Sequence, residues 1–133
     1  MERKIRVVMA KLGLDIHWRG VYLVSQFLRE AGMDVIYLGN KFPEEIVEAA
    51  IEEDADYIGL SSLGGAHMTL GPKVVHLARE RGLDQTKVIM GGVMAPNDAK
   101  KLEADHGVFK VFLPDTPMED IVSAIRGGME VVS

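Results

Sequence analysis

Two spacings of apolar residues alternate along the chain. Short runs rich in β-branched residues, Ile5 to Ala10, Asp34 to Leu38, Tyr57 to Ser61, Lys87 to Met90 and Phe109 to Leu113, have the length and composition of buried strands. Between them the apolar positions recur every three or four residues, as on one face of a helix. Val21, Val24, Leu28 and Ala31 mark the first such segment, from Gly20 to Gly32, and Ile46, Val47, Ala50 and Ile51 the second. Leu70, Val74, Leu77 and Ala78 mark the third, which Gly82 closes; Pro96 to Ala104 is a short fourth before Gly107. Met118, Ile121, Val122, Ile125 and Met129 form the inward side of the last. Pro43-Glu44-Glu45 opens its helix where proline forfeits no hydrogen bond and carboxylates favour the dipole, and glycines end several others. Strand and helix alternate five times, which predicts a parallel sheet covered on both faces and joined by right-handed crossovers.

The expected fold is this α/β, flavodoxin-like (Rossmann-like) doubly wound arrangement with strand order 2-1-3-4-5. In that order the loops after Ala10 and Ser61 face a common crevice at the switch point, with the loop after Met90 alongside. The segment Lys11-Leu12-Gly13-Leu14-Asp15-Ile16-His17-Trp18-Arg19-Gly20 fills the first of these places. It sets a carboxylate two positions before a histidine, the smallest unit that can orient an imidazole for ligation or proton transfer. Ser61-Ser62-Leu63-Gly64-Gly65-Ala66-His67 and Gly91-Gly92 are poor in side-chain bulk, so a large group can approach the backbone there; tight loop packing is the structural alternative.

Composition narrows the chemistry. A chain of 133 residues, 47% hydrophobic and 26% charged, is expected to form a single domain, residues 1–133, with an adequate core. The net charge of -5 argues against nucleic acid. With Cys 0 there are no thiolate ligands and no disulfides, and no run is long enough to span a membrane, so a cytoplasmic protein is expected. GxxxxGK[ST], GxGxxG after the first strand and GxSxG are absent. The third strand ends in Ser61 where a response-regulator receiver needs a phosphorylatable Asp, and the first loop lacks a flavodoxin's hydroxyl-rich phosphate site.

Read together, Asp15-x-His17-x-x-Gly20, Ser61-x-Leu63 and Gly91-Gly92, in this order at these strand ends, resemble the cobalamin-binding domain of the base-off, His-on class. The resemblance covers nearly the whole chain. Lys11 ahead of the Asp, Arg19-Gly20, Gly59-Leu60-Ser61-Ser62-Leu63 with Ala66-His67, and Gly91-Gly92-Val93 make it most similar to acyl-CoA mutases of the methylmalonyl-CoA type. The turn Leu113-Pro114-Asp115-Thr116-Pro117 is similar to that of 2-hydroxyisobutyryl-CoA mutase small subunits.

The resemblance implies that His17 is the lower axial cobalt ligand, that Asp15 orients it and that Lys11 pairs with Asp15. It further implies that Ser61 and Leu63 line a slot for the displaced nucleotide tail and that Gly91 and Gly92 keep the far end open. Arg19, Gly20, Gly65 and His67 complete the implied cofactor-binding set, with no residue of the substrate pocket in this chain. The implied cofactor is adenosylcobalamin, serving a radical 1,2 carbon-skeleton rearrangement of an acyl-CoA. The implied partner is a large subunit whose barrel binds most of the acyl-CoA, with neither nucleic acid nor membrane involved. Ile16 stands where these mutases usually have glycine, and Trp18 where a polar residue is usual. His76 and His106 are expected at the surface. A non-catalytic corrinoid carrier or sensor is the alternative; a cofactor-free signalling domain would make the three-part fingerprint a coincidence.

Overall fold

The computed structural model describes residues 4–12, 19–62, 66–92 and 94–130. Along them run β1 (Arg6–Leu12), α1 (Arg19–Glu30), β2 (Asp34–Lys41), α2 (Pro43–Glu53), β3 (Tyr57–Ser62), α3 (Leu70–Glu80), β4 (Lys87–Gly92), α4 (Pro96–Asp105), β5 (Lys110–Phe112) and α5 (Met118–Glu130). A 3-10 turn at Ala66–Met68 lies between β3 and α3. The strands pair in parallel in the expected order, β2-β1-β3-β4-β5.

Four strands extend beyond the hydropathy pattern at their carboxyl ends, β3 by the single residue Ser62. β1 takes in Lys11 and Leu12, β2 continues to Lys41, and β4 includes Gly91 and Gly92, so Lys11 and the glycine pair belong to the sheet rather than to loops. Lysine and glycine are weak strand formers, but strands paired on both sides override that preference. Lys11 is in register with Asn40 on one side and Ser61 on the other, and Gly91 lies between Ser61 and Phe112. At the other extreme, β5 is only 3 residues long. Met129, expected inside, is exposed.

Strand alternation sends successive side chains to opposite faces. Val8, Ala10, Leu12, Ile58, Leu60, Val88 and Met90 enter one core with Ile46 and Val47 of α2, Val74 and Val75 of α3, and Leu102 of α4. This face is filled: a Cβ built on Gly71 of α3 would stand 2.9 Å from both Sδ and Cε of Met90, with Leu102 beyond. Lys73 Nζ to Glu44 at 3.2 Å and Arg81 to Glu48 at 3.0 Å link α3 to α2 along its outer rim.

Val7, Met9, Tyr57, Ile89 and Phe112 point the other way, into a second core with Leu28 of α1 and Ile121, Val122 and Ile125 of α5. The amino-edge ends of α1 and α5 are tied. Tyr57 Oη donates to the Ile125 carbonyl at 2.8 Å, and Arg126 Nη2 donates to the Ala31 carbonyl at 2.8 Å. Burial, with the nearby Asp56 carboxylate second, pushes the Tyr57 phenol up to about 12. A Cβ on Gly128 would overlap the Tyr57 hydroxyl, so glycine lets α5 seat closely here. At the same sheet edge Arg6 donates to Asp34 Oδ2 at 3.1 Å and to the Glu53 carbonyl at 2.7 Å.

Candidate functional site

On the face covered by α1 and α5, side chains become small toward the carboxyl edge. Met9, Gly59 and Ile89 are in register at mid-sheet, and the next row on that face is Asn40, Lys11, Ser61, Gly91 and Phe112. A Cβ on Gly59 would overlap the Met9 sulfur, so the mid-sheet row is closed over by the methionine. One row farther on, a Cβ on Gly91 would meet, among the described residues, the Phe112 carbonyl oxygen at 3.6 Å. Ser61 and Gly91 thus form a strip of small side chains on β3 and β4 between buried Lys11 and buried Phe112. In a parallel sheet the covering helices run back against the strands, so the first turns of α1 and α5 flank this strip while their last turns are the tied ends.

Lys11 bounds the strip on β1 and is only 1% exposed. An ammonium removed from water needs an opposite charge or several acceptors. Its expected partner Asp15 lies outside the described residues, as do His17, Leu63 and Gly65, together with Ile16 and Trp18. Arg19 and Gly20 open α1, which carries the end of the fingerprint to the edge of the strip. Among the described residues no group of three or more His, Cys, Asp or Glu could hold a metal ion.

His67 sits apart from the strip. It is buried in the 3-10 turn, and its Nε2 lies 3.2 Å from Asp98 Oδ2 in the first turn of α4. The other ring nitrogen, Nδ1, is buried and has no partner among the described residues. The pair links the 3-10 turn after β3 to the first turn of α4. Asp98 gave no signal in sequence, since a carboxylate in the first turn of a helix is ordinary and the histidine it meets is 31 residues away. His76 is exposed and pairs with Glu80 at 3.0 Å, while His106 is half-buried. Buried Ser25 Oγ is the other polar atom with no partner among the described residues.

A family model described as "B12 binding domain" matches residues 5–123. The 2-hydroxyisobutanoyl-CoA mutase small subunit of Aquincola tertiaricarbonis is 50% identical over 92% of this chain and 90% of its own length. The pivalyl-CoA mutase small subunit of Xanthobacter autotrophicus is 40% identical over 92% of this chain and 82% of its own. Methylmalonyl-CoA mutase of Escherichia coli is 38% identical over 90% of this chain, a stretch that is 17% of that much longer protein. Among solved structures, a cobalamin-binding protein of Desulfitobacterium hafniense superposes with a TM-score of 0.79 at 23% identity, covering 95% of this chain and 60% of that one. The receiver domain of NarL from Mycobacterium tuberculosis superposes with a TM-score of 0.72 at 19% identity, covering 98% of this chain and all of that one. The fold is thus common to cofactor-binding and signalling domains, and only the residues on it distinguish them.

Proposed function

The chain belongs to the B12-binding domain family, and on that premise we propose that it is the adenosylcobalamin-binding small subunit of a heteromeric acyl-CoA mutase. Two small subunits of CoA mutases align with it over nearly their full lengths, which favours this reading over a corrinoid carrier or sensor. The observation that supports the cofactor's placement is the row of small residues, Ser61 and Gly91, in register at the carboxyl edge of β3 and β4. A flat nucleotide tail fits such a strip, because nothing projects from Gly91 and only a hydroxymethyl group from Ser61.

The strip begins at the carboxyl end of β1, from which the chain leads directly into the segment holding Asp15 and His17. In this reading His17 binds cobalt through one ring nitrogen and Asp15 accepts a hydrogen bond from the other, fixing the tautomer and raising ligand basicity. Buried Lys11 supports Asp15, and the carboxylate in turn offsets the desolvation of the ammonium. Leu63 lines the slot with Ser61, Arg19, Gly20 and Gly65 belong to the same proposed cofactor-binding set, and Gly92, at φ 143°, holds a backbone shape that favours glycine. His67, clasped by Asp98, keeps the loops after β3 and β4 in register beside the cofactor.

Adenosylcobalamin supplies, when bound, the radical chemistry of a 1,2 carbon-skeleton rearrangement. The acyl-CoA is bound mainly by a large, barrel-containing partner subunit, which covers the exposed side of the cofactor. We read residues 1–133 as one cobalamin-binding unit acting in the cytoplasm, a setting in keeping with the absence of cysteine. Among the described residues no helix is long and apolar enough to cross a membrane.

The test is reconstitution with adenosylcobalamin, alone and with the large subunit, followed by absorption and by the nitrogen hyperfine pattern of the reduced cobalt centre. Wild type is expected to show histidine nitrogen on cobalt, and His17→Ala to lose it together with mutase activity. Identical spectra for both proteins, with dimethylbenzimidazole still on the metal, would overturn the assignment.

A further inference from the structure

We propose that Phe42, just past the carboxyl end of β2, is an aromatic anchor by which the chain docks on its large mutase subunit. This rests on the small-subunit reading above. Phe42 is the N-cap residue of α2 and is 49% exposed. Ser, Thr, Asp or Asn is strongly preferred at such a position, because a side-chain oxygen there accepts a bond from an N–H of the first helical turn. The sequence keeps the other half of that arrangement. Glu45 Oε1 accepts from the Phe42 N–H at 3.1 Å, while the phenyl ring makes no capping bond in return. Serine would complete the reciprocal pair and withdraw an apolar ring from water. Phenylalanine is therefore a poor residue here both for the helix it starts and for a chain on its own.

The backbone carries this ring to the edge from which the cofactor-binding segment departs. The register between β1 and β2 shifts after Met9, with Gly39 at φ 78°, and pairing then resumes, Asn40 with Lys11 and Lys41 with Leu12. An irregularity of this kind re-aims the end of a strand. Phe42 thus leaves the sheet beside Leu12, where β1 runs on toward Asp15 and His17. Tyr22 and Leu23, early in α1, are exposed at the same end of the molecule. The charges next to the ring are already paired, Lys41 with Glu45 at 4.0 Å and Lys73 with Glu44 at 3.2 Å, which leaves an apolar centre with a polar rim.

Continuity with the cofactor's edge identifies the occupant. A subunit that covers the exposed side of the cofactor reaches the end of β1 and, with it, Phe42. In the methylmalonyl-CoA mutase of Escherichia coli the matching stretch is joined to the rest of one long polypeptide, whereas the two small subunits match over most of their own lengths. A separate chain has no covalent tether and needs an anchor of its own, and a large aromatic side chain is the commonest form of one. A second copy of this chain is disfavoured by its net charge of -5.

The experiment measures association of the full chain with its large subunit by calorimetric titration, with adenosylcobalamin present. Phe42→Ser is expected to melt at a higher temperature than wild type when alone, because the cap is completed, and to bind the large subunit about 30-fold more weakly. Phe42→Leu is expected to retain most of the affinity. Met129→Ser, which changes an exposed apolar residue at the opposite end of the molecule, is expected to leave association unchanged. In the saturated Phe42→Ser complex the histidine nitrogen signal on cobalt is expected to match wild type. Unchanged association of Phe42→Ser, or equal weakening by Met129→Ser, overturns the anchor. So does a loss confined to cobalamin binding by the isolated chain, which would assign the ring to the cofactor, or a change in self-association on sedimentation, which would assign it to a second copy. A wild-type chain with neither histidine on cobalt nor affinity for a large subunit removes the small-subunit reading itself.

Discussion

The two faces of the sheet are made by the same strands and differ in what they do toward the carboxyl edge. Under α2, α3 and α4, large apolar side chains continue to the last turns of the strands, with Leu12, Leu60 and Met90 all buried. Under α1 and α5 the next row beyond Met9 and Ile89 offers a lysine, a serine and a glycine on β1, β3 and β4, with apolar Phe112 only on β5. Because a strand's side chains alternate, β4 can supply Met90 to one face and Gly91 to the other with no change of backbone. One side is used for stability, and the other leaves room for a guest.

Substitutions matched across the two faces sharpen this contrast. Leu102→Ala on the filled face should have the largest effect, lowering the unfolding free energy by about 2–5 kcal/mol, measured by denaturant unfolding. Gly71→Leu and Gly91→Leu form the critical pair. The first forces new volume against Met90 and should cost about 1–3 kcal/mol of stability. The second adds a side chain to the row of small residues and should leave the cofactor-free melting temperature unchanged or higher, yet weaken cobalamin binding roughly 10- to 100-fold. Loss of fold from Gly91→Leu, or undiminished cobalamin affinity, would break the comparison.

Tyr57→Phe should have the smallest effect, about 1 kcal/mol, through the lost bond to the Ile125 carbonyl. Its signature lies in the pH dependence. The phenol's value is raised from 10.0 to about 12, so folding favours the protonated form. Its contribution is complete below pH 10, the unfolded value, and is lost as pH rises through the folded value. Denaturant midpoints across this alkaline interval should fall more steeply for wild type than for the variant.

The alternation of strands and helices was legible in sequence from the change of periodicity, often marked by proline or glycine, whereas the strand order was a choice among doubly wound topologies that the structure bears out. Strand ends were not legible, since Lys11 and Gly91 look like loop residues until the neighbouring strands that pair with them are in place. The family fingerprint was readable because Asp15, His17, Ser61 and Gly91 follow strands in a fixed order. Asp98 was not readable, because it acts through His67 from the first turn of α4, an element distant in sequence.

The two margins of the sheet bear on how the molecule can assemble. On edge strand β5 the Val111 N–H donates to the Glu103 carboxylate at 2.8 Å instead of presenting a free donor, and edge strand β2 breaks its regular register beside Gly39, at φ 78°. A carboxylate guard on one border and an irregularity on the other are both obstacles to strand-by-strand addition of a second copy. The protein is thereby protected against growing into an extended ribbon with itself, and its associations are directed to surfaces other than its strand edges.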